Sequence, residues 1–411
     1  MAEPSQQSTV LSFADARHTV EQHATEVCPT GIEFLPLLES QGRVLAKPVT
    51  ADRDYPPFNR AMRDGYAVRA ADLAQVPATL EVVAEIKAGA DPASLPRQLA
   101  LGQAAAIMTG APAPPGSDAV VMVEYTSLAN SRVTITRGLT SGDNIAPAGS
   151  EARANDLLLV PGATMDYAAL AAAASVGQEN VWVHRRPTIG IISTGDEVVE
   201  LAAHPGPTQI RNSNSYSLAA QVRDAGGEPR MLGIVADDAA ALRERIVEGF
   251  ACDLLLLTGG VSMGKYDLVE QVLSELGAEY FFTGAQIQPG RPVVFGQAHA
   301  KYFFGLPGNP VSTMVTFELF VRPMLDALAG RTPQPLIFLR ARLKSEVRTK
   351  TGLTRFLPAM LSGEFAEPEV ELMRWHGSGD VPSTARSNCY LVVPPERAHI
   401  ASGEWVAVMR K

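Results

Sequence analysis

The sequence predicts a multidomain protein of the α/β plus β class, and three observations lead to that class. At 411 residues the chain exceeds one ordinary domain and is expected to form about two to four. Between residues 181 and 330, apolar strands alternate with amphipathic helices, which predicts a mostly parallel sheet with right-handed crossovers. On both sides of that region, short β-branched runs lie among frequent glycines and prolines, a pattern typical of small β-rich domains.

The N-terminal part is predicted to be helical and discontinuous in the sequence. Ser12 fits a helix cap, and the pattern after it predicts a helix over Phe13–Glu26 and a second one over Glu33–Ser40. After a β-rich stretch, ordinary secondary structure resumes with a strand at Asp156–Val160 and a helix at Asp166–Ser175. We therefore expect residues 1–48 and 150–180 to form one domain that carries an insertion.

The inserted domain, residues 49–149, and the C-terminal domain, residues 331–411, are both predicted to be β-rich. Strands of the inserted domain are expected at Thr79–Ile86, Ala104–Met108, Ala119–Val123 and Arg132–Thr136. Strands of the C-terminal domain are expected at Phe338–Leu343, Glu369–Met373, Tyr390–Val393 and Trp405–Met409.

The central α/β domain, residues 181–330, is expected to contain four strands. They are predicted at Thr188–Ser193, Arg230–Val235, Asp253–Leu257 and Tyr302–Gly305. Helices are predicted at Ser213–Ala225, Asp237–Glu248 and Leu268–Leu276, and a long amphipathic run covers Val311–Leu328.

Three glycine-rich turns in the α/β domain predict a pocket for an anionic ligand. Thr258-Gly259-Gly260 follows a buried strand, and open α/β sheets bind ligands where parallel strands end. Adjacent glycines let the backbone approach a ligand closely and aim N–H groups at an anion. The second turn is Gln288-Pro-Gly-Arg-Pro292, and the third is Gly305-Leu-Pro-Gly-Asn-Pro310. Asn309 fits a helix cap with Pro310 at the first helical position, so this turn also offers a helix N-terminus.

Carboxylates accompany the turns. Ser193-Thr-Gly-Asp-Glu197 ends the first strand of the α/β region, and Asp253 and Asp267 bracket the Thr258 loop. Such a cluster suits Mg²⁺ beside phosphates, although capping of the next segment explains Asp196 or Glu197 equally well. Arg211-Asn-Ser-Asn214 is interpreted as a helix cap, with ligand contact by Ser213 or Asn214 as a secondary role.

Several classes of protein are disfavoured by composition. The net charge of −9 without a Lys/Arg block argues against nucleic-acid binding. The cysteines Cys28, Cys252 and Cys389 fit no metal or redox spacing and are expected to be reduced thiols. We see neither a signal peptide nor an apolar run of about 18 residues, and expect a cytoplasmic protein without membrane contact. Neither a Walker A loop nor a Ser-His-Asp or Cys-His nucleophile is apparent.

Taken together, the motifs resemble the molybdopterin molybdenumtransferase family, bacterial enzymes that are related to the C-terminal domain of gephyrin. The resemblance covers nearly the whole chain in order, and its complete set of motifs is far more specific than any one of them. The motifs are Pro56-Pro-Phe, Asp64-Gly-Tyr-Ala67, Thr109-Gly-Ala-Pro112, Asp118-Ala-Val-Val-Met122 with Glu124, Ser193-Thr-Gly-Asp-Glu197, Asn212-Ser-Asn214, Gly259-Gly-Val-Ser-Met-Gly264 with Asp267, Pro289-Gly-Arg-Pro292, Gly305-Leu-Pro-Gly-Asn-Pro310 and Gly377-Ser-Gly379.

The resemblance implies an elongated homodimer with four domains per chain, a three-layer α/β domain and a barrel-like C-terminal β domain. It implies a Mg²⁺-dependent transferase whose substrates are adenylylated molybdopterin and molybdate and whose product includes AMP. Transient contact with a molybdopterin adenylyltransferase or with molybdoenzymes is a further expectation. Three other functions remain open, namely an adenylyltransferase, a non-catalytic cofactor carrier and a scaffold that binds a partner segment.

Site residues follow from the same resemblance. The expected catalytic residues are Asp64, Glu197, Asp253 and Asp267, and the expected metal ligands are Asp196, Glu197 and Asp267. The expected substrate-binding residues are Thr109, Ser193, Thr194, Gly195, Ser213, Asn214, Gly259, Gly260, Ser262, Pro289, Gly290, Arg291, Pro307, Gly308, Asn309, Pro310 and Ser378. Asp64 and Thr109 are expected to approach the cleft from the inserted domain, across the dimer.

The chain departs from the family pattern at a few positions. Ala61 and Arg63 stand where serine and methionine are frequent, and Ala146 stands where arginine is common. Gln288 occupies a position that is lysine in some members and glutamine in others. Fewer cations at 146 and 288 weaken the local positive field for an anion, although Arg291 and Lys265 remain nearby in the sequence.

Overall fold

The structure is a computed structural model that describes residues 9–260, 268–364 and 367–411. Its α-helices are α1 (Phe13–Glu26), α2 (Tyr167–Ser175), α3 (Asn214–Asp224), α4 (Ala239–Gly249), α5 (Leu268–Glu275), α6 (Pro310–Thr316), α7 (Arg322–Leu328) and α8 (Val381–Arg386). A π-helical turn, Phe317–Val321, makes α6 and α7 one continuous helical segment. Within these described ranges, every helix is too short or too polar to cross a membrane.

The central domain is built on a six-stranded sheet. In spatial order its strands are Glu228–Val235, Thr188–Thr194, Leu254–Thr258, Lys301–Leu306, Val294–Ala298 and Glu279–Phe282. The first four are parallel, and Val294–Ala298 pairs antiparallel with both of its neighbours, so that it alone runs in the opposite direction in this sheet. Leu254–Thr258 lies in the interior and is buried at every residue, as a strand covered on both faces must be. The predicted mostly parallel sheet is therefore confirmed.

Helices cover both faces of this sheet and produce the three layers. On one face, α3, α6 and α7 enclose a core that contains Ile191, Leu256 and Phe304. On the other face, α4 and α5 enclose a second core around Leu255 and Leu257. Alternate residues of the same strand thus serve opposite cores, as the two-residue period of a strand requires.

Helix α1 packs on the central domain. Its buried residues Ala16 and Val20 belong to the same core as Met324 and Leu325 of α7. The sequence predicts that this helix groups with residues 150–180, but Met165 of that range packs into a separate core with Leu45 and Val183. Position along the chain did not reveal which neighbour would cover the apolar stripe of α1.

The predicted helix at Glu33–Ser40 is wrong. Ile32–Pro36 is a strand that pairs antiparallel with Asn180–His184, and only Leu37–Ser40 forms a short 3₁₀ turn. Pro36 disfavours helical geometry at Leu35, and exposure alternates along Ile32–Pro36 with the period of a strand.

The inserted domain forms its own six-stranded sheet. In spatial order its strands are Ala119–Met122, Gly65–Val68, Gln103–Ile107, Ala78–Ile86, Arg132–Ile135 and Thr126–Ala129. Two small cores form within it, around Val68 and Val133 and around Ala67 and Ile107. The domain thus has a hydrophobic interior that it shares with no other part of the described chain.

The C-terminal domain is a closed five-stranded barrel. Its strands are Thr354–Ser362, Glu369–Leu372, Leu339–Leu343, Trp405–Arg410 and Cys389–Val393, and pairing of the last with the first closes it. Ala341, Leu391 and Val408 fill its interior. On its outside, Phe356 and Tyr390 join the core of the central domain, so the two domains share buried side chains.

Short paired strands complete the fold. They are Val10–Leu11 with Gly284–Ala285, Val49–Thr50 with Leu157–Leu159, Arg60–Ala61 with Ile145–Ala146, Val198–Val199 with Ile210–Arg211, Val347–Arg348 with His399–Ile400, and Ile287–Gln288 with the start of Thr354–Ser362.

Candidate functional site

Two adjoining cavities lie at the carboxyl edge of the central sheet. The edge cavity, of about 370 Å³, is lined by the loops that follow the parallel strands. The barrel cavity, of about 570 Å³, lies between the Gln288–Pro292 turn and the C-terminal barrel. Pro292, Pro307 and Asn309 line both, so the two cavities share a wall.

The structure brings most of the predicted binding residues to these cavities. The edge cavity is lined by Ser193, Thr194, Glu197, Ser213, Asn214, Gly259, Gly260, Pro307, Gly308, Asn309 and Pro310. The barrel cavity is lined by Pro289, Gly290, Arg291, Pro307, Asn309 and Ser378. Gly195 and Asp196 follow Thr194 directly, whereas Ser262 and Asp267 lie outside the described residues.

Asn214 ties together the loops of the edge cavity. Its Nδ2 donates to Thr258 Oγ1 at 2.9 Å and to the carbonyl oxygen of Gly308 at 2.8 Å. Thr258 Oγ1 in turn donates to the carbonyl oxygen of Pro307 at 3.2 Å. One side chain at the start of α3 thus holds the ends of two neighbouring strands in a fixed relation.

The tandem glycines are required by close packing. Gly259 and Gly260 adopt φ angles of +91° and +60°, where a side chain is disfavoured. A Cβ on Gly259 would lie 2.4 Å from the carbonyl oxygen of Thr194, and one on Gly260 would lie 2.8 Å from Thr194 Oγ1. The turn therefore passes directly over the neighbouring strand end and exposes backbone to the cavity.

Two buried polar atoms beside the glycines have no hydrogen-bond partner within the described chain. They are Thr194 Oγ1 and Asn214 Oδ1, and both residues line the edge cavity. An unsatisfied buried polar atom costs roughly 1–3 kcal/mol, so such atoms are rare unless something binds them. Their position indicates a polar ligand.

Ser193 has a structural role. Its hydroxyl donates to Asn212 Oδ1 at 3.0 Å and lies 2.8 Å from Ser215 Oγ, and the backbone N–H of Ser215 also donates to Asn212 Oδ1. All three residues are buried. This network anchors the first turn of α3 to the central sheet.

Carboxylates gather beside the edge cavity, and one of them was not predicted from the sequence. The backbone N–H of Asp237 donates to Asp196 Oδ1 at 3.1 Å. Partial burial, together with the negative charges of Asp196 and Glu197, raises the pKa of Asp237. Asp237 follows the parallel strand next to Thr188–Thr194, so the rule that identified Asp196 also applied to it. From the sequence, Asp237 is instead assigned to the start of the helix predicted at Asp237–Glu248.

Asp253 is not part of this site. It precedes Leu254–Thr258 and therefore lies at the amino end of that strand, about 17 Å of strand away from Thr258. There it accepts hydrogen bonds from the backbone N–H and hydroxyl of Thr188, at 2.7 and 2.8 Å, and pairs with Arg185 at 3.0 Å. The expectation that Asp253 brackets the Thr258 loop is wrong, because the whole strand Leu254–Thr258 separates Asp253 from that loop.

Asp64 and Thr109 are brought together in the inserted domain. The backbone N–H of Thr109 donates to Asp64 Oδ1 at 2.6 Å, and hydrogen bonds from Thr109 lower the pKa of Asp64. Neither residue lines the edge cavity or the barrel cavity of its own chain.

The barrel cavity contains cations that no motif had indicated. Lys350 and Arg355 line it together with Arg291, Ser312 and Ser378. Arg355 is 6% exposed, and burial lowers the pKa of its guanidinium, which nonetheless stays charged at any physiological pH. These residues lie on the barrel side, where the sequence showed only ordinary β pattern.

Among the residues that the structure describes, no three histidine, cysteine or carboxylate side chains are grouped so as to hold a metal ion by themselves. Mg²⁺ does not require such a group, since proteins usually bind it through one or two carboxylates together with substrate phosphates.

Comparison with known proteins gives matches along the whole chain. Residues 11–177 match the MoeA N-terminal region, domains I and II, and residues 190–327 match a probable molybdopterin binding domain. Residues 340–410 match the MoeA C-terminal region, domain IV.

Curated relatives and solved structures agree with these matches. The chain is 37% identical to the molybdopterin molybdenumtransferase of Nostoc sp., over 92% of this chain and 88% of the relative. It is 34% identical to that of Bacillus subtilis, over 92% and 89%. A crystal structure of the molybdopterin biosynthesis MoeA protein of Pyrococcus horikoshii superposes with a TM-score of 0.73 at 31% identity, covering 98% of this chain and 99% of that one.

Proposed function

The chain belongs to the molybdopterin molybdenumtransferase family, and from this premise we propose that it transfers molybdenum from molybdate to adenylylated molybdopterin, with release of AMP. The observation that carries the proposal is the pair of adjoining cavities with different chemistry. The edge cavity offers glycine backbone, polar atoms and both signs of charge, from Glu197 and Arg211. The barrel cavity offers positive charge, from the buried Arg355 and the exposed Arg291 and Lys350.

The edge cavity is proposed to hold adenylylated molybdopterin. The backbone N–H of Gly260 and the hydroxyl of Ser213 suit phosphate oxygens, whereas the N–H of Gly259 donates to the carbonyl oxygen of Leu306. The unpaired Thr194 Oγ1 and Asn214 Oδ1 suit the donors and acceptors of a pterin ring. Position at the carboxyl edge of a parallel sheet also favours a ligand of this kind.

The barrel cavity is proposed to receive molybdate. A tetrahedral dianion needs several donors with positive charge nearby, and Arg291, Lys350 and Arg355 supply both. Ser312 and Ser378 add hydroxyls to the same wall. Because the two cavities share Pro292, Pro307 and Asn309, molybdate would lie next to the bound pterin.

The carboxylates fit Mg²⁺. Their oxygens are hard ligands, and partial burial together with the negative charges of Asp196 and Glu197 raises the pKa of Asp237, a cost that a divalent cation would relieve. Asp196 and Glu197, the expected ligands among the described residues, would hold the ion together with phosphate oxygens of the substrate, and Asp237 lies beside them. The ion would neutralise charge on the phosphoanhydride whose cleavage releases AMP. Asp267, also expected to be a ligand, lies outside the described residues.

Asp64 and Thr109 are proposed to reach the edge cavity of a second copy of the chain. The support is that they form an exposed, hydrogen-bonded pair away from the cavities of their own chain. A homodimer would combine the inserted domain of one protomer with the central domain of its partner.

Mixed dimers test this sharing. Asp64→Asn and Arg355→Ala should each inactivate the protein, whereas dimers formed from equal amounts of both should recover about a quarter of wild-type activity, because half of the dimers contain one intact composite site. If Asp64 acts within its own chain, the mixture stays inactive.

The proposed reaction is tested by single turnover. Purified protein is mixed with adenylylated molybdopterin, molybdate and Mg²⁺, and both AMP and pterin-bound molybdenum are followed. Release of AMP in step with molybdenum insertion is expected. ATP-dependent adenylylation of molybdopterin would instead identify an adenylyltransferase, and tight binding without AMP release would identify a carrier or scaffold.

A further inference from the structure

Arg355 is a buried cation with neutral partners. Its Nε donates to Gln288 Oε1 at 2.8 Å, and its Nη1 donates to the carbonyl oxygen of Leu353 at 3.1 Å. Among the ion pairs of the described chain none involves Arg355, although the side chain is almost fully buried. A buried charge normally has a counter-charge, so this arrangement leaves its positive charge available.

The contact between Gln288 and Arg355 is built into the joint between two domains. Ile287–Gln288 runs parallel to Thr354–Arg355, with Gln288 directly opposite Arg355. The turn that follows is seated on α6, since a Cβ on Gly290 would lie 2.4 Å from Thr316 Cγ2. The backbone of Gln288 is therefore fixed on both sides, and its exposed side chain is held against Arg355 by the hydrogen bond between Oε1 and Nε.

We propose that Gln288 is a positioning residue for the substrate oxyanion, because its neutral amide orients the Arg355 guanidinium without neutralising it. The proposal rests on the proposed function, in which the barrel cavity receives molybdate. A carboxylate at position 288 would accept from the same Nε but would form an ion pair with Arg355, and so would cancel the positive charge that attracts the oxyanion. An apolar residue would leave Arg355 charged but without an oriented Nε.

The test compares Gln288→Glu and Gln288→Leu with the wild type. Binding of molybdate to the free protein is measured by titration calorimetry in the absence of pterin, and KM for molybdate and kcat are measured in the complete reaction. We expect Gln288→Glu to raise Kd and KM for molybdate about tenfold or more, the effect of losing one charge-assisted contact, with kcat changed less than about threefold. We expect Gln288→Leu to raise both by about threefold to tenfold, since charge is retained but orientation is lost.

Gln286→Glu is the matched control. Gln286 is exposed, lies two residues earlier in the same segment and does not line the cavity, so the same change of charge should leave Kd and KM as in the wild type. Wild-type affinity in both Gln288 variants, or an equal loss in the control, would overturn the proposal. A loss of kcat with unchanged KM would also overturn it. Should the wild type bind molybdate without releasing AMP, the proposed function fails while the binding comparison still decides the role of Gln288.

Discussion

Electrostatic repulsion among carboxylates at the edge cavity should cost the protein stability. Asp237 is the most affected, since partial burial and then Asp196 and Glu197 raise its pKa. Because the raised pKa means that the folded protein disfavours the charged form, wild-type stability falls as pH rises through the pKa of Asp237.

Asp237→Asn should therefore stabilise the protein and impair it. We expect its melting temperature at pH 7 to exceed that of the wild type by about 1–3 °C, a small gain because Asp237 is exposed and screened by solvent. The difference should vanish near pH 4, and AMP release should fall at least tenfold. Thermal melts across pH measure this, with Glu244→Gln, which removes one charge from the exposed face of α4, as the control. An equal gain in the control, or a gain that does not depend on pH, would contradict the repulsion.

At the scale of residues, the sequence indicated those cavity-lining residues that lie in a recognisable motif. Gly259 and Glu197 were expected there because their turns follow apolar strands, and Asn214 was expected as part of a helix cap with a secondary role in ligand contact; all three line the edge cavity. Asp253 was misplaced because a carboxylate before a strand and one after it are close in sequence but lie at opposite edges of the sheet. Arg355 was missed because its role depends on pairing between domains, which no local pattern encodes.

At the scale of elements, the turn after Leu254–Thr258 is the most tightly constrained part of the site. Gly259 passes over the carbonyl oxygen of Thr194 and adopts a positive φ, so a side chain there meets both backbone strain and a steric clash. These two penalties can be separated experimentally, because other glycines of the same domain have positive φ without neighbours.

Gly259→Ala should cost more than positive φ alone explains. The matched control is Gly277→Ala, where φ is +76° and no atom lies within 4 Å of the added Cβ. We expect the control to lose about 1 kcal/mol of unfolding free energy and to keep its substrate affinity. Gly259→Ala should lose about 2 kcal/mol or more, and its KM for adenylylated molybdopterin should rise at least tenfold, since the turn must move. Chemical denaturation and steady-state kinetics measure the two effects, and equal values for both variants would show that the close approach to Thr194 is unimportant.

Element boundaries were predictable where hydrophobic period and capping agreed. Helix α1 begins after Ser12, whose hydroxyl accepts from the backbone N–H of Asp15 at 3.1 Å, and the predicted bounds are confirmed. The prediction of a helix at Glu33–Ser40 failed because a segment as short as Ile32–Pro36 fits both the helical period of 3.6 residues and the strand period of two. Only its pairing with Asn180–His184 selects the strand.

At the scale of the whole molecule, the domains differ in how they are joined. The inserted domain encloses its own two cores, both formed by residues between Ala61 and Ile145. The barrel instead contributes Phe356 and Tyr390 to the core of the central domain. Burial of shared side chains couples the free energies of folding of two domains, whereas linkage through chain segments alone does not.

We therefore expect separate thermal transitions by calorimetry for the inserted domain, called the first, and for the central domain together with the barrel, called the second. Val133→Ala should move only the first, by roughly 10 °C, because loss of buried methyl groups costs about 2 kcal/mol in a domain of this size. Leu256→Ala should move only the second, and by fewer degrees, because that unit is larger.

Phe356→Leu tests whether the barrel and the central domain unfold together, since its side chain lies in the core that joins them. If it lowers the second transition without dividing it, the barrel and the central domain unfold as one unit, and the Gln288–Arg355 contact lies within a single cooperative structure. A separate barrel transition in the wild type would contradict that coupling.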